Sequence, residues 1–212
     1  APTVGQGGIR INPPPGAVAG GNEAAPTAIT VVGPGSGGIV VSGGDVLYSQ
    51  LEIVIRAVEV SSGGVVASGH ADGRIRLWAN GTDTSPIVLQ QHSGVVNDID
   101  FSADGAVMVS GGDDETVRVW DAVNASYRGV LAGHTGAVRG VAVSPDGTLA
   151  ASASEDCSVR LWDVNAGRQQ TTFVSGNIRS FTVDFNSDGS QVAAGDNAGN
   201  VILFDVATGR RV

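Results

Sequence analysis

Trp78, Trp120, Trp162 and Phe204 follow one another at a constant interval of 42 residues. A bulky aromatic returning at fixed spacing marks a structural unit that is stacked rather than folded once. The surroundings return with it. The segments ending at the aromatics read Gly73-Arg74-Ile75-Arg76-Leu77-Trp78, Glu115-Thr116-Val117-Arg118-Val119-Trp120, Cys157-Ser158-Val159-Arg160-Leu161-Trp162 and Gly199-Asn200-Val201-Ile202-Leu203-Phe204. Each reads as a strand. Upstream, Gly63, Gly105, Gly147 and Gly189 keep the same interval and close turns rich in Ser, Asn, Asp and Gly, residues that tolerate tight turn dihedrals. Short apolar runs such as Leu149-Ala150-Ala151-Ser152 lie between turn and aromatic.

Composition agrees with many short strands. The chain has 32 glycines, only 16% charged residues and 42% hydrophobic residues, enough for a core. No helix-period pattern of useful length is present, and no apolar run approaches the roughly 18 residues that cross a bilayer. The reading is a mainly β chain with no membrane contact. Acidic residues outnumber basic ones 21 to 12, for a net charge of −9, and no basic stripe offsets it. Direct nucleic-acid binding is therefore not expected. All 12 basic residues are arginine, which removes both a phosphate-loop lysine and a Schiff-base lysine. The single Cys157 has no partner for an intrachain disulfide, which suits a reducing compartment. Asn80-Gly81-Thr82 and Asn124-Ala125-Ser126 match the glycosylation triplet, a pattern common by chance.

Gly133-His134 and the Trp-Asp pairs Trp120-Asp121 and Trp162-Asp163 complete the repeat. In length, order and signature it resembles the WD40 repeat, over roughly residues 46 to 212. The resemblance implies an all-β, WD40-type β-propeller with four blades visible, part of a ring of seven or eight or closed by a partner. An outer strand is expected at about 46 to 51 and again at about 86 to 91. The last unit stops at Gly209-Arg210-Arg211-Val212, where its outer strand would begin. An open array exposes sheet edges, so closure is expected from missing blades, a second copy, another subunit or the N-terminal arm. The Val46 to Leu51 strand is a further candidate, completing the fourth blade. The mid-motif ending and the start at Ala1 read as a processed product or a segment of something longer. Residues 1 to 45 hold six of the eight prolines and read as a Pro/Gly-rich arm or linker. Within it, Ala28 to Val32 and Gly38 to Ser42 are β-prone pieces able to add to a sheet edge.

His92, Ser110 and Asp114 supply the residue types of a hydrolase triad, and His134, Ser152 and Asp156 repeat them 42 residues on. A catalytic site is usually unique, whereas this set is duplicated in register. The family resemblance implies instead a buried hydrogen-bond network: His92, Ser110, Asp114 and Trp120 in one unit, His134, Ser152, Asp156 and Trp162 in the next. The first unit keeps Ser68, Asp72 and Trp78 but has Gln50 in place of His; the fourth has Gly176, Ala194, Ala198 and Phe204. The fourth blade is accordingly expected to be less rigid, and the longer stretch from Ile178 to Phe185 suggests a bulge there. Gly33, Gly35 and Gly38 satisfy a dinucleotide-loop spacing, but no helix follows. His70 reads as a turn residue without a nearby partner, so the histidines form no metal set. Asp196-Asn197-Ala198-Gly199-Asn200 lacks the glycine and glutamate positions of a calcium loop. No catalytic residue, cofactor or metal is expected.

The resemblance implies a non-catalytic protein-interaction scaffold in a larger assembly. Carried onto this sequence, the family's binding positions at the narrow face are Asn97, Asp113, Arg139 and Glu155. Arg76, Arg118 and Arg160 read as solvated charges on outward strand positions. Two alternatives stay open: a substrate-recruiting subunit of an enzyme complex, and a small-ligand or enzymatic propeller using the central channel. The setting expected is cytoplasmic, with a cytoskeletal or ciliary assembly as one case.

Overall fold

The computed structural model describes residues 27–31, 39–43, 54–78, 85–174 and 179–212. Every regular element among them is a strand. The first two, β1 (Thr27–Val31) and β2 (Ile39–Gly43), pair antiparallel as a two-stranded sheet of their own. The two β-prone pieces of the arm thus satisfy each other's backbone groups rather than extending one of the larger sheets. The expected strand at 46 to 51, Gln50, the turn at Asn80, the glycines at 33 to 38 and Gly176 lie outside the described residues.

The repeats follow as antiparallel sheets in chain order. The first contains β3 (Ile55–Val60), β4 (Val66–His70), β5 (Arg74–Trp78) and β6 (Ile87–Gln90). The second contains β7 (Val96–Phe101), β8 (Val107–Gly112), β9 (Thr116–Asp121) and β10 (Ser126–Ala132). The third contains β11 (Val138–Val143), β12 (Leu149–Ser154), β13 (Ser158–Asp163) and β14 (Arg168–Val174). The fourth has β15 (Ser180–Phe185), β16 (Gln191–Asp196) and β17 (Val201–Asp205), with a lone bridge from Phe204 to Arg211 in place of an outer strand.

Period-2 alternation gives each sheet two apolar faces, and each face needs a neighbour. The sheets therefore stand side by side as propeller blades, the first strand of each packed against the first and second strands of the one before. One cluster joins Ala67, Ile75, Leu77 and Leu89 of the first blade to Val96, Ile99, Met108 and Trp120 of the second. The next joins Val109, Val119 and Leu131 to Val138, Val141 and Trp162, and the last joins Ala151, Leu161 and Phe173 to Val192, Ile202 and Phe204. The periodic aromatic is thus the plug each blade offers its predecessor. Near the first strands the blades taper, and glycine makes room. A Cβ on Gly69 would lie 2.6 Å from Val96 Cγ1, and one on Gly111 would lie 2.6 Å from Val138 Cγ1.

Three local expectations are corrected. The turn glycine of the first unit is Gly64, with φ 82°, not Gly63; this unit is one residue shorter between turn and strand than its successors. Cys157, Glu115, Gly73 and Gly199 are left-handed turn residues (φ 67°, 64°, 77° and 83°), and the strands begin after them. A bulge is not peculiar to the fourth blade. All four first strands shift register at one place, between Ile55 and Ala57, Val96 and Asp98, Val138 and Gly140, and Ser180 and Thr182.

Candidate functional site

Each bulge leaves one residue unpaired and turns its side chain out of the ladder. Those residues are Arg56, Asn97, Arg139 and Phe181, so the sequence candidates Asn97 and Arg139 are two members of a series of four. The other two candidates, Asp113 and Glu155, sit in the turns beside them. Asn97 Nδ2 donates to Asp113 Oδ1 at 2.8 Å and to the Val138 carbonyl at 2.9 Å. Arg139 reaches Asp113 Oδ1 at 2.9 Å, Asn97 Oδ1 at 3.0 Å and Glu155 Oε1 at 2.7 Å. Arg179 ends the ladder at 3.6 Å from Glu155 Oε2. The structure brings all four candidates into one chain of contacts that crosses three blades. Arg139 and Asp113 remain about a third exposed, Arg179 is more than half exposed, and Phe181 keeps 40% of its surface in solvent.

The triad-like sets lie beneath this surface. His92 Nε2 is 2.8 Å from Ser110 Oγ, its Nδ1 is 2.9 Å from Asp114 Oδ1, and Trp120 Nε1 donates to Ser110 Oγ at 2.9 Å. In the third blade the distances are 2.7 Å from His134 Nε2 to Ser152 Oγ, 2.8 Å from His134 Nδ1 to Asp156 Oδ2, and 2.8 Å from Trp162 Nε1 to Ser152 Oγ. A consistent direction follows from the donors: indole N–H to serine oxygen, serine O–H to imidazole Nε2, imidazole Nδ1–H to carboxylate. Burial pushes the His134 pKa down, against the pull of Asp156, which fits a neutral ring with its proton on Nδ1. Burial works against ionised Asp114 and Asp156 too. Hydrogen bonds from the histidines, Thr116, Ser158 and nearby backbone amides outweigh it, holding Asp114 well below the ordinary carboxylate range and Asp156 at about 2.

This is the hydrogen-bond order of a serine hydrolase, yet it cannot act as one. Ser110 and Ser152 have no solvent exposure, and each serine oxygen already accepts an indole N–H. A carbonyl has no path to the nucleophile. The set instead ties the second and third strands of the blade, the turn between them and the preceding loop together through satisfied polar groups.

The first blade departs from the sequence expectation. Ser68 bonds His70 Nε2 at 2.6 Å, Asp72 is taken up by Arg74 and Arg76, and the Trp78 indole nitrogen is buried without a hydrogen-bond partner. The expected Ser68, Asp72, Trp78 connection is therefore not made. His70 is no turn residue; it ends β4, 2% exposed, and burial followed by the Arg76 charge pushes its pKa down to about 4. Its position matches Gly112, where a Cβ would point straight at the His92 ring, 2.8 Å from Nδ1. A side chain grown from that point enters the space that His92 fills in the second blade, so the first blade supplies its imidazole from its own second strand.

Arg76, Arg118 and Arg160 are not solvated. Their side chains are 14%, 15% and 18% exposed, and each ion-pairs with the aspartate four residues earlier, at 3.2, 3.3 and 3.6 Å. The shared spacing of Asp72, Asp114 and Asp156 from these arginines was the available signal. In the fourth blade Ala194 and Phe204 replace the polar set, and Phe204 stacks on Phe173 with ring centroids 4.6 Å apart.

One carboxylate pair carried no sequence signal. Asp98 and Asp100 on β7 reach across to the next blade, where Asp98 Oδ2 accepts from the Val141 amide at 2.9 Å and Asp100 Oδ2 from the Val143 amide at 2.7 Å. Those amides lie on the first-strand edge of β11, which has no other strand to pair with. Burial raises both pKa values to about 6, partly countered by these bonds.

Among the described residues no group of three His, Cys, Asp or Glu is placed to hold a metal. The family model described as "WD domain, G-beta repeat" matches residues 84–121 and 125–163. No curated protein matches the chain. The two matched segments each end at the Trp-Asp pair of a blade whose buried network is complete, and the same blade plan on either side is consistent with a WD40-repeat family.

Proposed function

We propose that this chain is a protein-interaction scaffold that receives its partner on the face built by the four bulge residues Arg56, Asn97, Arg139 and Phe181. WD40 repeats serve in general as protein–protein interaction scaffolds and are typically non-catalytic. The observation that carries the finer reading is the ladder from Asn97 through Asp113, Arg139 and Glu155 to Arg179. It holds polar and charged groups in fixed positions across three blades beside an exposed phenylalanine, a combination of rigid donors and acceptors with an aromatic anchor that suits a protein surface. The test is quantitative affinity capture with cross-linking, comparing the native chain with Arg139→Glu, Phe181→Ala and the outer-strand control Arg168→Glu. The proposal expects the first two to lose a partner that the control keeps. Equal recovery by all four proteins would refute it.

A second surface is favoured by a specific contrast. Val201 is 71% exposed and Leu203 41%, whereas the residues at their positions in the three other blades are at most 3% exposed because a following blade covers them. We propose that this face takes a further blade, from a second copy or another subunit. A concentration-dependent mass above 21.3 kDa by light scattering, abolished by Val201→Asp, supports it; a mass unaffected by that change counts against it. Recruitment of a substrate to an enzyme complex, in the cytoplasm, is compatible with the same bulge face.

A further inference from the structure

Where the outer strand of the second blade meets the third, a cleft of about 470 Å³ opens. Its apolar lining includes Val119, Leu131 and Val164, with Gly129 on β10 and Gly167 in the β13–β14 turn on either side and Arg128 among the lining residues. A Cβ built on Gly129 or on Gly167 would meet no atom within 4 Å.

The other two seams show which residues hold the same two positions. At the first seam the positions of Gly129 and Gly167 are held by Ile87 and Ala125, the latter packed against the core. At the third they are held by Thr171 and Gly209, and a Cβ on Gly209 would already lie 3.5 Å from Thr171 Oγ1. Only the middle seam has glycine on both sides. The cleft is thus a local omission of side chains within an otherwise repeated packing plan. It also lies along the free edge of its sheet, because β10 pairs with β9 alone. Arg128 donates one 3.3 Å hydrogen bond to Asn165 Oδ1, and among the described residues it is the only charged one lining the cleft. Asp121, which feels the Arg128 charge, is occupied by Asn124 at 2.9 and 3.0 Å.

We propose that this cleft binds an extended peptide of another protein, which pairs with the edge of β10, inserts one aliphatic side chain between Gly129 and Gly167, and sets a neighbouring carboxylate on Arg128. Edge pairing supplies affinity through the main chain, the cleft selects the alternate side chain, and the guanidinium selects an acidic neighbour.

The probe is a fluorescein-labelled peptide, Gly-Ser-Glu-Leu-Thr-Val-Ser-Gly, titrated by anisotropy against the full 212-residue chain. Saturable binding is expected, with amide shifts at residues 128–131 and 164–167. Gly129→Thr, which installs the residue of the third seam where there is open space, is expected to weaken binding roughly tenfold or more, about 1.4 kcal/mol, with no change in the urea midpoint. Arg128→Gln, or Gln for Glu in the peptide, is expected to weaken it severalfold, and Arg139→Glu on the bulge face is expected to leave it unchanged. Absence of binding, equal affinity for Gly129→Thr, or loss on Arg139→Glu would each overturn the proposal, the last by placing the peptide on the bulge face.

Discussion

Ser152→Ala removes one oxygen that serves two buried partners. Ser152 Oγ lies 2.8 Å from Trp162 Nε1 and 2.7 Å from His134 Nε2, and those residues are 1% and 6% exposed. Neither partner has water to turn to, so the substitution leaves a donor and an acceptor unsatisfied. At about 1–2 kcal/mol for each buried group, the cost is roughly 2–4 kcal/mol. Ser68→Ala in the first blade breaks a single bond to His70, and its Trp78 indole has no partner to lose. It should cost about half as much. The fourth blade shows how the loss is accommodated, because there alanine at 194 comes with phenylalanine at 204. Adding Trp162→Phe to Ser152→Ala removes the orphaned donor, so the pair should cost less than the sum of the singles by about 1 kcal/mol or more. Urea unfolding followed by circular dichroism measures all four variants. Equal costs for Ser152→Ala and Ser68→Ala, or strict additivity in the double variant, would refute the assignment of a shared serine acceptor.

Three further outcomes can be checked. Folded Asp98 and Asp100 have pKa values of about 6, above the ordinary value of 3.8, so the stability they contribute is full below about pH 4 and lost as pH rises through 6; the buried His70 and His134, whose pKa values are lowered, work in the opposite sense in every variant, so the test is a difference: from pH 7 to pH 5 the native chain should gain stability in urea relative to Asp98→Asn with Asp100→Asn, on the order of 1 kcal/mol. Glu115 and Cys157 hold left-handed backbone that costs L-residues roughly 1–2 kcal/mol, so Glu115→Gly should raise stability by up to about 1 kcal/mol after the entropy cost of glycine; Gly73→Ala, whose Cβ would lie 2.8 Å from the His92 carbonyl oxygen, should lower it by more, as calorimetry would show. Gly111→Ala drives a methyl to 2.6 Å from Val138 Cγ1 and 2.9 Å from Val141 Cγ1; it should cost about 1–3 kcal/mol by overpacking, whereas Gly129→Ala should cost well under 1.

The aromatic period made the blades legible because one residue per unit must plug the space between sheets, and its neighbours alternate with the pleat. The second and third networks could be traced because their four members recur together. The first blade could not be read this way: a register one residue short after Gly64 and an imidazole supplied from β4 leave serine, aspartate and tryptophan in sequence without the bonds that would join them. Arg76, Arg118 and Arg160 were misjudged because strand alternation says which face a side chain leaves from, not how far it folds back to an aspartate in the preceding turn. Asp98 and Asp100 act on amides 43 residues away through the taper of the blades, a geometry that no local pattern encodes. The bulges are of the same kind: they become visible only in the pairing register, and they turn two isolated candidates, Asn97 and Arg139, into a series.

The repeated serine, histidine, aspartate and tryptophan form a buried structural lock, complete in the second and third blades and missing both its indole bond and its imidazole–carboxylate bond in the first. Hydrogen exchange of the three indole N–H groups, followed by NMR on the 212-residue chain, tests it most directly. Slow exchange is expected for Trp120 and Trp162, set by opening of their blades, and faster exchange for Trp78, whose nitrogen is buried but unbonded. Equal exchange at all three indoles, or fast exchange at Trp120 and Trp162, would contradict it.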